Sequence, residues 1–159
     1  MHDAVKRFVE DIKKKHPEYF DGKRVLEMGS LNFNGSVRDY FTNCDYTGID
    51  WKDGAGVDKV VLAHKFDAEP FDVVITTEML EHDKYARRSM KNALRLLKSG
   101  GVLIGTAANT GREPHYEFTG VDNHYKNISK SMVLQWFRDY RHIINEDINK
   151  YDIQFIVWK

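Results

Sequence analysis

Three residues within five positions have side chains that could do chemistry together: Glu78, Glu81 and His82, in the run Thr77-Glu78-Met79-Leu80-Glu81-His82. Two carboxylates and an imidazole can move a proton, or hold a hard divalent cation such as Mg²⁺ or Mn²⁺ that lowers the pKa of a hydroxyl. On one helical turn, Glu78 would share a face with Glu81 (i, i+3) and with His82 (i, i+4). A cation would need a further ligand, and the polar segment from Asn109 to Asn127 offers His115, Glu117, Asp122 and His124. Without a cation, Glu78 faces a cofactor, Glu81 is a charge at a helix start and His82 is a base or hydrogen-bond donor. Both readings stand at this level. His2, His16 and His142 read as ordinary surface or core residues.

A second constellation lies nearer the amino terminus. The apolar run Arg24-Val25-Leu26-Glu27-Met28 meets Gly29, and Asp50 closes a second apolar run 21 residues past that glycine. A strand, a glycine turn and an acid at the end of the next strand form the ligand cradle of doubly wound folds, with the acid accepting from ribose hydroxyls. The turn Glu27-Met28-Gly29-Ser30-Leu31-Asn32-Phe33-Asn34-Gly35 is not the G-x-G-x-x-G pattern of dinucleotide sites. Glu27 would repel a pyrophosphate and welcome an ammonium group, and the chain is short for a dehydrogenase with a separate substrate domain. These features favour an amino-acid-bearing nucleoside, S-adenosylmethionine (SAM).

Positioning such residues takes alternating strands and helices. Val5, Phe8, Val9 and Ile12 fall at helical spacing behind Asp3 as a cap; Val37, Tyr40 and Phe41 mark a helix after Asn34-Gly35-Ser36. Strands are predicted at 24–28, 45–50, 58–62, 71–76 and 102–106. Ala86, Met90, Ala93, Leu94 and Leu97 form the inward stripe of a helix ended by Gly100-Gly101, with Arg87, Arg88, Lys91 and Arg95 outside it. Ser129 or Ser131 caps a later helix carrying Met132, Val133, Trp136, Phe137 and Tyr140. Residues 152–158 form a last strand, in a hairpin with the segment around His142-Ile143-Ile144. The pattern predicts one α/β domain over residues 1–159, a Rossmann-like doubly wound, mainly parallel sheet with an antiparallel carboxy-terminal strand. Only seven residues separate Asp50 from Asp58, and seven separate Leu62 from Pro70, too few for covering helices around strands two and three. That flank, with Val57, Val60 and Val61, is expected to pair with a second copy or a partner, or to lie under the amino-terminal helix.

Composition narrows the classes. Of 159 residues, 24 are Lys or Arg and 24 Asp or Glu, so there is no net field to steer a polyanion, and nucleic acid is not the expected partner. No apolar run approaches a membrane span, and the charged first fifteen residues lack a signal-peptide core. A single cysteine, Cys44, fits a reducing, cytoplasmic setting.

Four runs in order carry a resemblance: Val25-Leu26-Glu27-Met28-Gly29-Ser30, Tyr46-Thr47-Gly48-Ile49-Asp50, Phe71 through His82, and Leu96-Leu97-Lys98-Ser99-Gly100-Gly101-Val102-Leu103. Over about residues 24–107 the chain resembles the class I SAM-dependent methyltransferases, in particular their bacterial type-11-like group. The resemblance implies that Gly29 and Ser30 lie against the methionine part of SAM, that Asp50 takes the ribose with Trp51 beside the adenosine, and that Ala63 and His64 border the adenine. The chain departs from the family at Leu62, where an acid is frequent, and at Leu31 and Phe33, which replace glycines. The E-x-x-E-H run is similar to the metal-binding motif of small-RNA 3′-terminal 2′-O-methyltransferases and to a run in ubiquinone-pathway O-methyltransferases. The expected activity is O-methylation of a small molecule or glycan hydroxyl, with His82, Glu81 and His115 as catalytic residues. The alternatives are metal-assisted RNA 2′-O-methylation through Glu78, Glu81, His82 and His124, and a non-catalytic SAM-binding protein.

Overall fold

The computed structural model describes residues 2–114, 123–146 and 149–159. The chain forms helix α1 (Asp3–Lys15), strands β1 (Arg24–Met28), β2 (Asp45–Asp50), β3 (Lys59–Val60) and β4 (Phe71–Thr77), helix α2 (Ala86–Leu96), strand β5 (Leu97–Ala108), helix α3 (Lys130–Phe137), and strands β6 (Arg141–Glu146) and β7 (Asp152–Trp158). One seven-stranded sheet runs in the order β3-β2-β1-β4-β5-β7-β6. β1 to β5 are parallel, and β7 enters antiparallel between β5 and β6. This is the predicted Rossmann-like architecture with its antiparallel carboxy-terminal strand.

Alternation along each strand sorts the core into two layers. Val25, Val73, Ile75, Val102 and Ile104 point to one face, which α1 covers with Val5, Phe8, Val9 and Ile12. Leu26, Met28, Val74, Leu103 and Phe155 point to the other, under α2 and α3, where Met90, Ala93, Val133 and Phe137 meet them. Ser129 caps α3 as expected, its hydroxyl accepting from the Met132 N–H. His2, not Asp3, occupies the cap position of α1, and its side chain makes no capping bond there.

The helix expected after Asn34-Gly35-Ser36 is a single 3₁₀ turn, Val37–Tyr40. The chain straightens at Phe41, whose ring stacks on Phe20 at 4.7 Å, and β2 begins four residues later. The Gly100-Gly101 pair does not end α2, which stops at Leu96. Gly100 takes φ +78° within β5, in the register shift that falls between the Phe71↔Leu97 and Val73↔Val102 pairs.

The two short crossovers carry no α-helix. The link from β3 to β4 holds one 3₁₀ turn, Ala63–Lys65. Since α1 lies over the central strands, it does not cover this flank. Val57 and Val61 are half-buried, and Val60 is 57% exposed on the edge strand β3. No described helix is long and apolar enough to cross a membrane.

Candidate active site

The carboxyl ends of β1, β2 and β4 open on a cleft of about 480 Å³, within the size range of small-molecule sites. Its floor is set by close approaches that only glycine allows. Gly29 turns at φ +82°, and a Cβ there would stand 2.5 Å from the Met79 Cβ and Cγ. A Cβ on Gly48 would stand 2.5 Å from the Gly56 carbonyl oxygen. The Gly29 and Ser30 N–H groups both donate to the Ile49 carbonyl, at 2.9 and 3.1 Å, drawing the tip of β1 onto β2.

Polar groups are gathered around this floor. The buried Ser30 hydroxyl has no hydrogen-bond partner among the described residues, and Ser30 lines the cleft. Buried donors and acceptors are normally satisfied, so an orphan at a cleft wall suits a ligand. Asp50 is half-buried; its carboxylate accepts from the Lys52 N–H at 3.0 Å and the Leu31 N–H at 3.4 Å. Burial raises its pKa against those bonds. Trp51 stands 46% exposed beside it. Glu27 also reaches the cleft, accepting from the Tyr46 hydroxyl at 2.8 Å. Burial pushes its carboxyl up to about 7, so a bound ammonium would draw out its charge.

The far wall comes from the residues after β4. Glu78 adopts φ +54°, and the following 3₁₀ turn spans Leu80–His82. The expected single helical face therefore does not form. Glu78 and His82 line the cleft, whereas Glu81 turns into the core, fully buried, with neither carboxylate oxygen bonded among the described residues. Burial first, then the nearby Glu78, pushes the Glu81 carboxyl up to about 8, so it is largely a neutral acid at pH 7. It is not a base facing the cleft.

Glu78 is anchored by groups from three other elements. Its oxygens accept from the Thr106 hydroxyl at 2.9 Å and from Arg112 at 2.7 Å, and His2 Nε2 lies 3.0 Å away. Arg112 also donates to Asp152 at 2.5 Å. Burial raises the Glu78 carboxyl, but His2, Arg112 and Thr106 outweigh it and hold the group below its ordinary value. Among the described residues, His2, Glu78 and Asp152 are the group whose ligand atoms converge, and the Arg112 guanidinium already supplies their cation. The set Glu78, Glu81, His82 and His124 is not brought together: among the described residues its ligand atoms do not converge. His115, with Glu117 and Asp122, lies outside the described residues.

At the other end Ala63 lines the cleft and His64 does not. The His64 ring packs on Tyr85, centroids 4.3 Å apart, and burial lowers its pKa, keeping it neutral. Tyr85 lines the cleft in its place. Sequence reasoning missed His2, Arg112, Tyr85 and Asp152. Only Asp152 carried a signal: an antiparallel last strand beside β5 must start at the edge where the parallel strands end.

The sequence profile of the methyltransferase domain family matches residues 28–105, which hold this cleft from the glycine turn to β5. Residues 28–105 thus form a methyltransferase domain, and the fold around them is that of the class I SAM-dependent methyltransferases. Solved methyltransferases share its fold. The Burkholderia thailandensis 1,6-didemethyltoxoflavin N1-methyltransferase, bound to S-adenosylhomocysteine (SAH), superposes with a TM-score of 0.71 at 13% identity, over 99% of this chain and 81% of that one. The N-methyltransferase NodS of Bradyrhizobium japonicum gives 0.62 at 15% identity, over 97% and 94%. The amino-terminal domain of EvdMO1, solved with SAH and D-fucose, gives 0.71 at 14% identity, over 98% and 82%. No match is found among curated protein sequences. The methyltransferase thus uses SAM, and a glycine-forced floor with an orphan hydroxyl and two acids suits that ligand.

Proposed function

We propose that this methyltransferase transfers the methyl group of SAM to a hydroxyl of a small molecule or glycan. The carrying observation is that one cleft joins the Gly29–Ser30–Asp50 wall to His82. In this reading Glu27, Gly29 and Ser30 hold the methionine part, Asp50 the ribose, and Trp51 and Ala63 border the adenosine. SAM supplies an electrophilic methyl on a sulfonium. The chain must align the acceptor in line with it, exclude water and take one proton from the hydroxyl. His82 takes that proton. Glu78, paired with Arg112, shapes the wall between donor and acceptor, and Glu81 supports that wall from beneath without touching the acceptor. We assign a second copy of the chain to the open flank around Val60.

Calorimetry with SAH and with NAD tests the donor assignment: SAH binds at micromolar levels and NAD does not. Asp50→Ala weakens SAH by about 1.5–3 kcal/mol, the usual value of a hydrogen bond to a charged group. Transfer from methyl-labelled SAM to paired acceptors, each alcohol beside its amine analogue, tests the acceptor. Methylation of the amines alone would overturn the hydroxyl reading, and SAM binding without transfer to any acceptor would favour a binding protein.

A further inference from the structure

The wall bordering the adenine in the donor reading has an unusual support. Leu62 and Ala63 lie in the link between β3 and β4, which has no crossover helix to carry it. Its single 3₁₀ turn contributes one tight backbone bond, from the Lys65 N–H to the Leu62 carbonyl at 2.8 Å. What fixes the turn comes instead from the far side of the sequence. Asn92, buried on α2, donates from its amide to the Ala63 carbonyl and to the Phe66 carbonyl, both at 2.8 Å. Its Oδ1 accepts from Arg95 Nε at 2.9 Å, and the same guanidinium donates to Phe66 at 3.2 Å.

Asparagine is a poor residue for a helix interior, and a buried amide is tolerated only where its donors and acceptor are met. Here both donors are spent on carbonyls that bracket the turn. The turn in turn carries His64, whose ring packs on Tyr85 at the cleft wall. Two walls of one cleft therefore depend on one side chain that does not line it.

We infer that Asn92 is a positioning residue for the adenine end of the donor cleft, doing with its amide what a crossover helix does in a fuller sheet. The inference rests on the donor reading given above. It assigns Asn92 no contact with SAM or the acceptor.

The test is binding, measured on folded protein well below its melting temperature. In Asn92→Ala, the dissociation constants of SAH and of adenosine alone rise together, about five- to thirty-fold, as expected for two lost hydrogen bonds. Asn92→Asp, which keeps the shape and loses the donors, shows at least the same loss. Hydrogen exchange at residues 62–66 accelerates in both variants. A purely structural role would lower the melting temperature and leave both constants unchanged, and that result would overturn the inference. Should Asn92→Ala not fold, Arg95→Ala removes the second support from an exposed position and raises both constants about two- to five-fold, and unchanged constants there would overturn it equally. If the unsubstituted protein binds neither ligand, the donor reading falls first and this inference with it.

Discussion

Arg112 Nη1 lies 2.7 Å from a Glu78 carboxylate oxygen, and the other terminal nitrogen of the same guanidinium lies 2.5 Å from Asp152. One side chain thereby ties the tip of β4 to the start of β7 across the end of β5. His2 joins it, bringing the start of α1 to the same place. Arg112→Ala takes the guanidinium from a half-buried and a buried carboxylate and is expected to destabilise by about 2–3 kcal/mol, somewhat below a fully buried pair. Denaturant unfolding checks this. The Glu78 pKa is held below its unfolded value, so its contribution is present above about pH 4.5 and is lost as the pH falls further. The variant therefore loses less stability than the parent on acidification below that point.

Glu81 works in the opposite sense. Its folded pKa, about 8, stands above the unfolded 4.5, so the folded state holds the extra proton between those values. Stability from this group is full below pH 4.5 and falls as the pH rises toward 8. Glu81→Gln keeps the shape and removes the titration. Thermal melts across pH 5 to 9 should show a flatter profile for the variant, with the largest gain at the alkaline end. A parallel decline in both proteins would disprove the assignment.

Gly29→Ala should be the most damaging single change in the cleft. The added methyl meets Met79 at 2.5 Å, and the φ of +82° is strained for any side chain. SAH binding is expected to fall at least tenfold, and Met79→Gly in the same chain, which removes both the Cβ and the Cγ, to recover only part of it, because the backbone strain remains. Full recovery would mean that the contact alone forces the glycine.

His82→Ala is expected to remove most turnover on a verified hydroxyl acceptor while leaving SAH affinity nearly unchanged, since His82 lies beyond the Gly29–Asp50 wall. General-base removal typically costs about 10²–10⁴ in rate. An unchanged rate would eliminate His82 as the base.

Light scattering at micromolar concentration addresses the open flank. Val60 at 57% exposure on an edge strand is expected to lie in a self-association surface, and Val60→Lys should shift the population toward monomer. A strict monomer in the parent protein would refute the pairing.

Much of this was legible along the chain because strand and helix periodicity is local. Val25, Leu26 and Met28 had to form a buried strand, Gly29 had to turn it, and Asp50 had to end the next strand at the same edge. The short links on either side of β3 excluded covering helices by length alone, and the ordered runs from residue 24 to residue 103 carried the family. The shape of the far wall was a different matter. Glu78 and Glu81 are three apart, but a left-handed residue at Glu78 sends one carboxylate to the cleft and the other into the core, and no spacing rule contains that φ. His2, Arg112 and Asp152 come together from positions as much as 150 residues apart because three element ends meet at one corner of the sheet. Asn92 carries no signal of its own along the chain; only the packed turn shows what its amide braces. Sequence determines which residues face inward on their own element; which inward-facing groups meet is decided only when the sheet brings distant elements together.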